Sequence, residues 1–87
     1  MSKIKKTLKQ RGGAYGSFFD NANCTQELMG VVEHRARHKL TTSEVEAIHM
    51  IMHKISRIII GNKTKKDNWH DIAGYAMLAE DLTKDQK

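Results

Sequence analysis

Between Val45 and Ile60 the apolar residues recur at the spacing of a single helical face. Val45, Ile48, Met52, Ile55 and Ile59 form the row, and Ile51 and Ile58 widen it, which is the pattern of an amphipathic helix. Thr41-Thr42-Ser43-Glu44 supplies its start, because Thr41 with Glu44, or Ser43 with Glu46, fits a capping box. Gly61-Asn62 supplies its stop. The stretch from Lys66 to Ala79 follows with the only Trp, a Tyr and two Asp four residues apart. In it Trp69, Ile72, Ala76 and Ala79, extended by Leu82, are expected to face inward, with Ala73, Gly74 and Ala76 allowing close approach. Upstream, Asp20 is read as the cap of a helix to about His38, with Leu28, Val31, Val32 and Cys24 along one side. Gly30 inside that helix costs about 1 kcal/mol against Ala and so predicts close packing there. Ser2 to Arg11 reads as a short helix with Ile4 and Leu8 one turn apart, ended by Gly12-Gly13.

These elements predict an all-α fold: a small helical bundle of three main helices plus a short N-terminal helix, in a single domain over residues 1–87. The expected bounds are 2–11 for the basic helix, then about 20–38, 42–60 and 68–82, with a polar, fraying tail at 83–87. The last two helices should pair as an antiparallel hairpin. A chain this short buries only about 60–65% of its unfolded surface, so completion of the bundle by homo-oligomerisation is expected. No apolar run approaches the roughly 20 residues that span a bilayer, which argues against a membrane. The lone Cys24 forms no internal disulfide and the N-terminus lacks the apolar stretch of a signal peptide, so a cytoplasmic location is expected.

Charge alters this picture by its placement. The net charge is +5; residues 1–40 hold eight Lys/Arg against three acids, and residues 41–87 hold seven of each. The front half therefore favours an anionic partner: a nucleotide, a nucleic acid or an acidic protein. Gly12-Gly13-Ala14-Tyr15-Gly16 can expose backbone amides as an anion nest, or else form a tight turn with Phe18 and Phe19 tucked beneath it. His34-Arg35-Ala36-Arg37-His38-Lys39 suits a helix C-terminus; no aromatics are interleaved there for base stacking.

Two constellations could carry chemistry. Lys54 and Arg57 oppose Asp67 and Asp71 in the expected hairpin, with Arg57 level with residues 70–71 and Lys54 near Gly74-Tyr75. One outcome is a salt bridge that fixes the register. The other is a site in which the cations hold a phosphate and the carboxylates orient the ligand or its Mg²⁺. The second constellation is His34/His38 and His49/His53, both at the spacing that lets two imidazoles share a metal. Neither pair has the Glu of a zinc protease, the runs reading His-Arg-Ala-Arg-His and His-Met-Ile-Met-His,. No catalytic residue and no resident metal is assigned.

Arg11 to Asn21 with Tyr15-Gly16, then Met50 to Arg57 with Lys54-Ile55-Ser56-Arg57, then Asp67-Asn68-Trp69-His70-Asp71-Ile72-Ala73-Gly74-Tyr75, resemble a family of small uncharacterised proteins of phages and prophages. The resemblance covers residues 11–82 and implies an all-α fold and a phage context, hence the host cytoplasm, but no established activity. More distantly the pattern is similar to all-α nucleoside triphosphate pyrophosphatases of the MazG type, which hold Mg²⁺ on Glu-x-x-Glu and Glu-x-x-Asp. That pattern fails here. Glu44 and Glu46 lie two apart on different faces, and Lys54 and Arg57 occupy the stretch where acids would stand. The expectation is a binding protein for a phosphate-bearing ligand, a nucleotide, using Arg11, Tyr15, Lys54, Arg57, Asp67 and Asp71. The alternatives are a phage-encoded protein that binds and inhibits a host or defence protein, and a nucleic-acid-binding module.

Overall fold

The structure, a computed structural model, describes residues 3–4, 16–61 and 66–85. Three helices carry it: α1 (Phe18–Ala36), α2 (Thr42–Ile60) and α3 (Lys66–Asp85), with a short 3₁₀ turn at Arg37–Lys39 between the first two. No strand occurs among the described residues. The all-α expectation holds, and α2 is the central element, packed against α1 on one flank and α3 on the other.

Local chemistry explains the helix ends. Thr41 and Glu44 form the expected capping box: the Glu44 amide donates to Thr41 Oγ1 at 3.2 Å, and the Thr41 amide donates to Glu44 Oε1 at 2.9 Å,. At its other end Gly61 closes α2 by donating its amide to the Arg57 carbonyl at 2.9 Å. The cap of α1 differs from expectation. Ser17 Oγ accepts from the Asp20 amide at 3.1 Å, so Ser17 is the cap and Asp20 stands three residues in, where its carboxylate still favours the helix N-terminus. The helix thus begins two residues early, at Phe18, and ends at Ala36. At the C-terminus α3 continues through the expected tail to Asp85. Lys3 and Ile4 are helical, with Ile4 exposed; the rest of the expected 2–11 helix lies outside the described residues.

Apolar burial is scant. Met29 is the one large apolar residue fully buried among the described residues, against four polar ones: Asn21, Thr25, Ser56 and Asn68. The row on α2 is half-buried throughout except Ile59, which is exposed. Several sequence expectations fail for the same reason. Phe18 and Phe19 are exposed rather than tucked under the glycine turn, Val31 faces out, and Trp69 is 58% exposed with Ala76 also outside. On α3 the inward positions are Asn68, Asp71, Ile72, Tyr75 and Ala79, one residue round the helix from the row that Trp69 would have anchored. The overall form is long, 51 × 25 × 25 Å, with a radius of gyration of 14.9 Å where a compact chain of this length has about 12 Å. Among the described residues no helix is long and apolar enough to cross a membrane.

The glycines divide sharply. Gly16 has φ +85°, and a Cβ there would stand 2.5 Å from Ile60 Cγ2 and 3.4 Å from the Ile60 carbonyl carbon. It therefore meets both needs that only glycine meets, a left-handed backbone and close approach. Gly30 was expected at a close contact, and Gly74 likewise, yet nothing lies within 4 Å of a Cβ built on either. Gly16→Ala should lower unfolding free energy by about 1–3 kcal/mol, whereas Gly30→Ala should raise it by about 0.5–1 kcal/mol. Urea titrations of the two variants beside the parent check both signs.

Candidate functional site

Ser56 and Lys54 stand two residues apart on α2, which sets them on nearly opposite sides of the helix. Ser56 faces α1, and Lys54 faces α3. Ser56 is fully buried, and its Oγ reaches the His53 carbonyl at 2.8 Å, Thr25 Oγ1 at 2.8 Å and Asn21 Oδ1 at 3.3 Å. A hydroxyl has one proton to give. The short bond to the His53 carbonyl takes it, so Thr25 donates to Ser56, and the longer Asn21 contact is the weaker branch. Asn21 Nδ2 in turn donates to the Ser17 carbonyl at 2.9 Å. The α1–α2 contact is therefore closed by a polar chain running from the cap of α1 to the C-terminal third of α2.

On the other flank Lys54 Nζ meets Asp71 Oδ2 at 3.0 Å, with side-chain exposures of 12% and 38%. Counted along two antiparallel helices from this pair, Arg57 comes level with about Asn68. Arg57 is half-buried, and Asp67 is exposed in the first turn of α3. Arg11 and Tyr15, the other expected ligand residues, lie outside the described residues. Of the six expected site residues, Lys54 and Asp71 are in contact, and Arg57 and Asp67 lie on the same two helices, near the end of α2 and the start of α3.

That place contains a residue the sequence reading passed over. Asn68 is 0% exposed, and neither its Nδ2 nor its Oδ1 has a hydrogen-bond partner. Leaving a buried polar group unpaired costs about 1–3 kcal/mol, and such groups are rare in folded proteins. Its signal was present: Asn68, Ile72, Tyr75 and Ala79 are spaced four, three and four apart, a helical seam. The larger Trp69 beside it drew the inward assignment instead.

His53 completes the arrangement. It lies one turn from both His49 and Arg57 and is half-buried. Its pKa is lowered from 6.5, first by burial and then by the charges of Arg57, Lys54 and His49. Arg57 and Lys54 both disfavour a proton on His53, and Lys54 is itself paired with Asp71. His49 Nδ1 lies 3.6 Å from Glu46 Oε1. The pairs His34/His38 and His49/His53 remain pairs: no group of three His, Cys, Asp or Glu able to hold a metal occurs among the described residues. Two surface hollows among the described residues lie along α3. One of about 560 Å³ opens on α3 around Gly74, between Asp71, Tyr75 and Leu78, and touches the cluster only through Asp71. Another, of about 410 Å³, is an apolar groove where Ala47 and Met50 face Tyr75 and Leu82.

A protein-family model described as a domain of unknown function, DUF6378, matches residues 1–83. No curated protein and no solved structure matches the chain.

The lowered pKa of His53 has a definite sign in stability. The unfolded chain binds the proton first, so His53 contributes fully above its unfolded value of 6.5 and costs stability as pH falls from there toward the lower native value. His53→Gln should flatten the loss of unfolding free energy between neutral pH and about pH 5. Denaturant midpoints across that range, with parent and variant side by side, measure the difference in slope.

Proposed function

The chain belongs to the family of the DUF6378 domain, whose function is unknown, and from that premise we propose that it binds a phosphate-bearing ligand, a nucleotide, where α2 meets the start of α3. In this reading it is a small phage-type protein of the host cytoplasm that holds its ligand without turning it over. The observation that carries the proposal is Asn68: a side chain with two donors and an acceptor, fully buried and unpartnered, level with Arg57 and within a turn of the Lys54–Asp71 pair. Phosphate oxygens would take up donors at Arg57, Lys54 and Asn68, the strong charge-assisted kind in the first two cases. The N-terminal amides of α3, a helix of 20 residues, add the anion preference of a helix start. Asp67 and Asp71 would orient the ligand or meet its Mg²⁺. Arg11 and Tyr15 belong to the same proposed site.

A second reading, binding and inhibition of a host or defence protein, is favoured by Phe18 and Phe19, 84% and 72% exposed at the start of α1. Exposed aromatics of this kind are common anchors of protein interfaces. Capture of one stoichiometric partner from host lysate, lost in Phe18→Ser with Phe19→Ser, would support it.

Thermal unfolding against a nucleotide panel, with and without Mg²⁺, tests the first reading. Ligand at about 100 times its dissociation constant adds about 2.7 kcal/mol, a midpoint rise of about 10–20 °C in a domain this small. Lys54→Met and Arg57→Met should abolish the rise. Lys54→Met should also cost little stability, because Asp71 is left able to reach water,. Asn68→Leu should raise the ligand-free midpoint while removing the response to ligand. If no nucleotide shifts the midpoint, or if the shift survives these substitutions, the cluster is a structural salt bridge and the protein-partner reading leads.

A further inference from the structure

We infer that the ligand presents Asn68 with a hydrogen-bond donor beside an acceptor, the flat edge of a nucleobase. The inference rests on the phosphate-binding reading above and names the part of the nucleotide that Asn68 holds.

Asn68 lies in the first turn of α3, on the seam that Ile72, Tyr75 and Ala79 continue. None of it meets solvent, and both polar atoms of its side chain lack a partner. The chain treats its other buried amide differently. Asn21 Nδ2 donates to the Ser17 carbonyl at 2.9 Å, and Asn21 Oδ1 stands 3.3 Å from the Ser56 hydroxyl. Among the described residues Asn68 is the one buried side chain whose polar atoms are left unpaired.

The chemistry of the amide states what is missing. Nδ2 carries two protons and Oδ1 two lone pairs. One proton points away from Oδ1. The other lies on the same side as Oδ1 and makes with it a planar donor–acceptor edge. A phosphate serves only the donors. Its second ionisation falls at about pH 6, and a helix start favours the more negative form, so at neutral pH its free oxygens accept and do not donate. A phosphate alone would leave Oδ1 buried and unpaired, with negative charge brought towards it. The missing donor therefore comes from another part of the ligand.

A nucleobase supplies it. Each common base sets an N–H next to a ring-nitrogen or carbonyl acceptor, and an Asn amide pairs with the adenine edge in two parallel bonds. The remaining Nδ2 proton is left for a phosphate oxygen. No protein partner fixes the Asn68 amide, so it can turn over and serve either order of donor and acceptor. Asn68 thus requires the paired edge and does not by itself choose among the bases. The pairing is made out of water, where a ligand lacking the donor leaves Oδ1 unpaired and is rejected most strongly.

The test is titration calorimetry of the full chain at about pH 7.5, where the phosphates are dianions. The ligands are the 5′-monophosphates of adenosine, cytidine, guanosine and uridine, purine riboside 5′-monophosphate, and ribose 5-phosphate. Purine riboside keeps the rings and their acceptors and lacks the N–H on the base edge; ribose 5-phosphate lacks the base. The tightest of the four nucleotides should bind about 5- to 100-fold more tightly than the purine riboside analogue, and ribose 5-phosphate more weakly still. Asn68→Ser keeps a small polar group that spans only one of the two positions, and should bring the ratio between nucleotide and purine analogue to about one. The ligand series on the parent needs no variant, so it decides even if Asn68→Ser fails to fold. Equal affinity of the parent for nucleotide and purine analogue would overturn the inference and leave the phosphate reading standing, as would a ratio that survives Asn68→Ser. A parent that binds none of the nucleotides would overturn both.

Discussion

The fold turns on the division of labour within α2. Lys54 and Ser56 are close neighbours in the chain yet serve different partners. Lys54 is held to α3 by Asp71 at 3.0 Å, and Ser56 is held to α1 by Thr25 at 2.8 Å. Both contacts are polar and directional; the hydroxyl chain is buried, while Asp71 keeps access to water. An apolar row would tolerate sliding by a turn with modest loss, whereas the hydroxyl chain displaced by a turn leaves buried groups unpaired at about 1–3 kcal/mol each. The two contacts therefore fix how both outer helices sit against the central one. Everything at the proposed site follows from that register, including the meeting of Arg57 with the level of Asn68.

Polar pinning of this kind comes with weak apolar burial. Three helices side by side leave the outer flanks of α1 and α3 facing solvent, and the large residues there, Val31, Trp69, Met77 and Leu78, are exposed. A chain that places asparagine, threonine and serine at its best-buried positions has given up hydrophobic stabilisation at those positions. In a domain whose net stability is only several kcal/mol in typical cases, that deficit must be met by surroundings or by accepting a less stable fold. Occupation of the Asn68 environment is where binding would return the most.

Helix class and the limits of α2 were legible from residue pattern, while the limits of α1 and α3 lie two or three residues from those expected. The bounds of α2 match to the residue, because Thr41, Glu44 and Gly61 state its ends in local chemistry. The cap of α1 was misplaced between Ser17 and Asp20, both suitable residues, since only the backbone decides which oxygen is accepting. Of the four charged residues that the pattern nominated on α2 and α3, Lys54 and Asp71 meet at 3.0 Å. Asn68 and Ser56 were not legible as site or core residues. Periodicity weighs size and hydrophobicity, so it placed Trp69 inside and overlooked the small polar neighbour whose position, not its chemistry, made it buried. Gly30 and Gly74 show the converse error, where a glycine in a helix was taken to mark a close contact that is not made among the described residues.

The central claim is that Asn68 is buried without a partner because a ligand supplies one. Its side-chain amide gives a separate pair of signals in a nitrogen–proton correlation spectrum, so it can be watched directly while a nucleotide is titrated into the isotope-labelled chain. The account predicts that the Asn68 side-chain signals, the backbone amides of the first turn of α3 and the His53 ring all shift and saturate together, with His53 becoming more basic as the anion arrives. Saturable binding that moves other residues and leaves Asn68 and His53 unchanged would contradict it, as would a titration in which no signal of α2 or α3 moves.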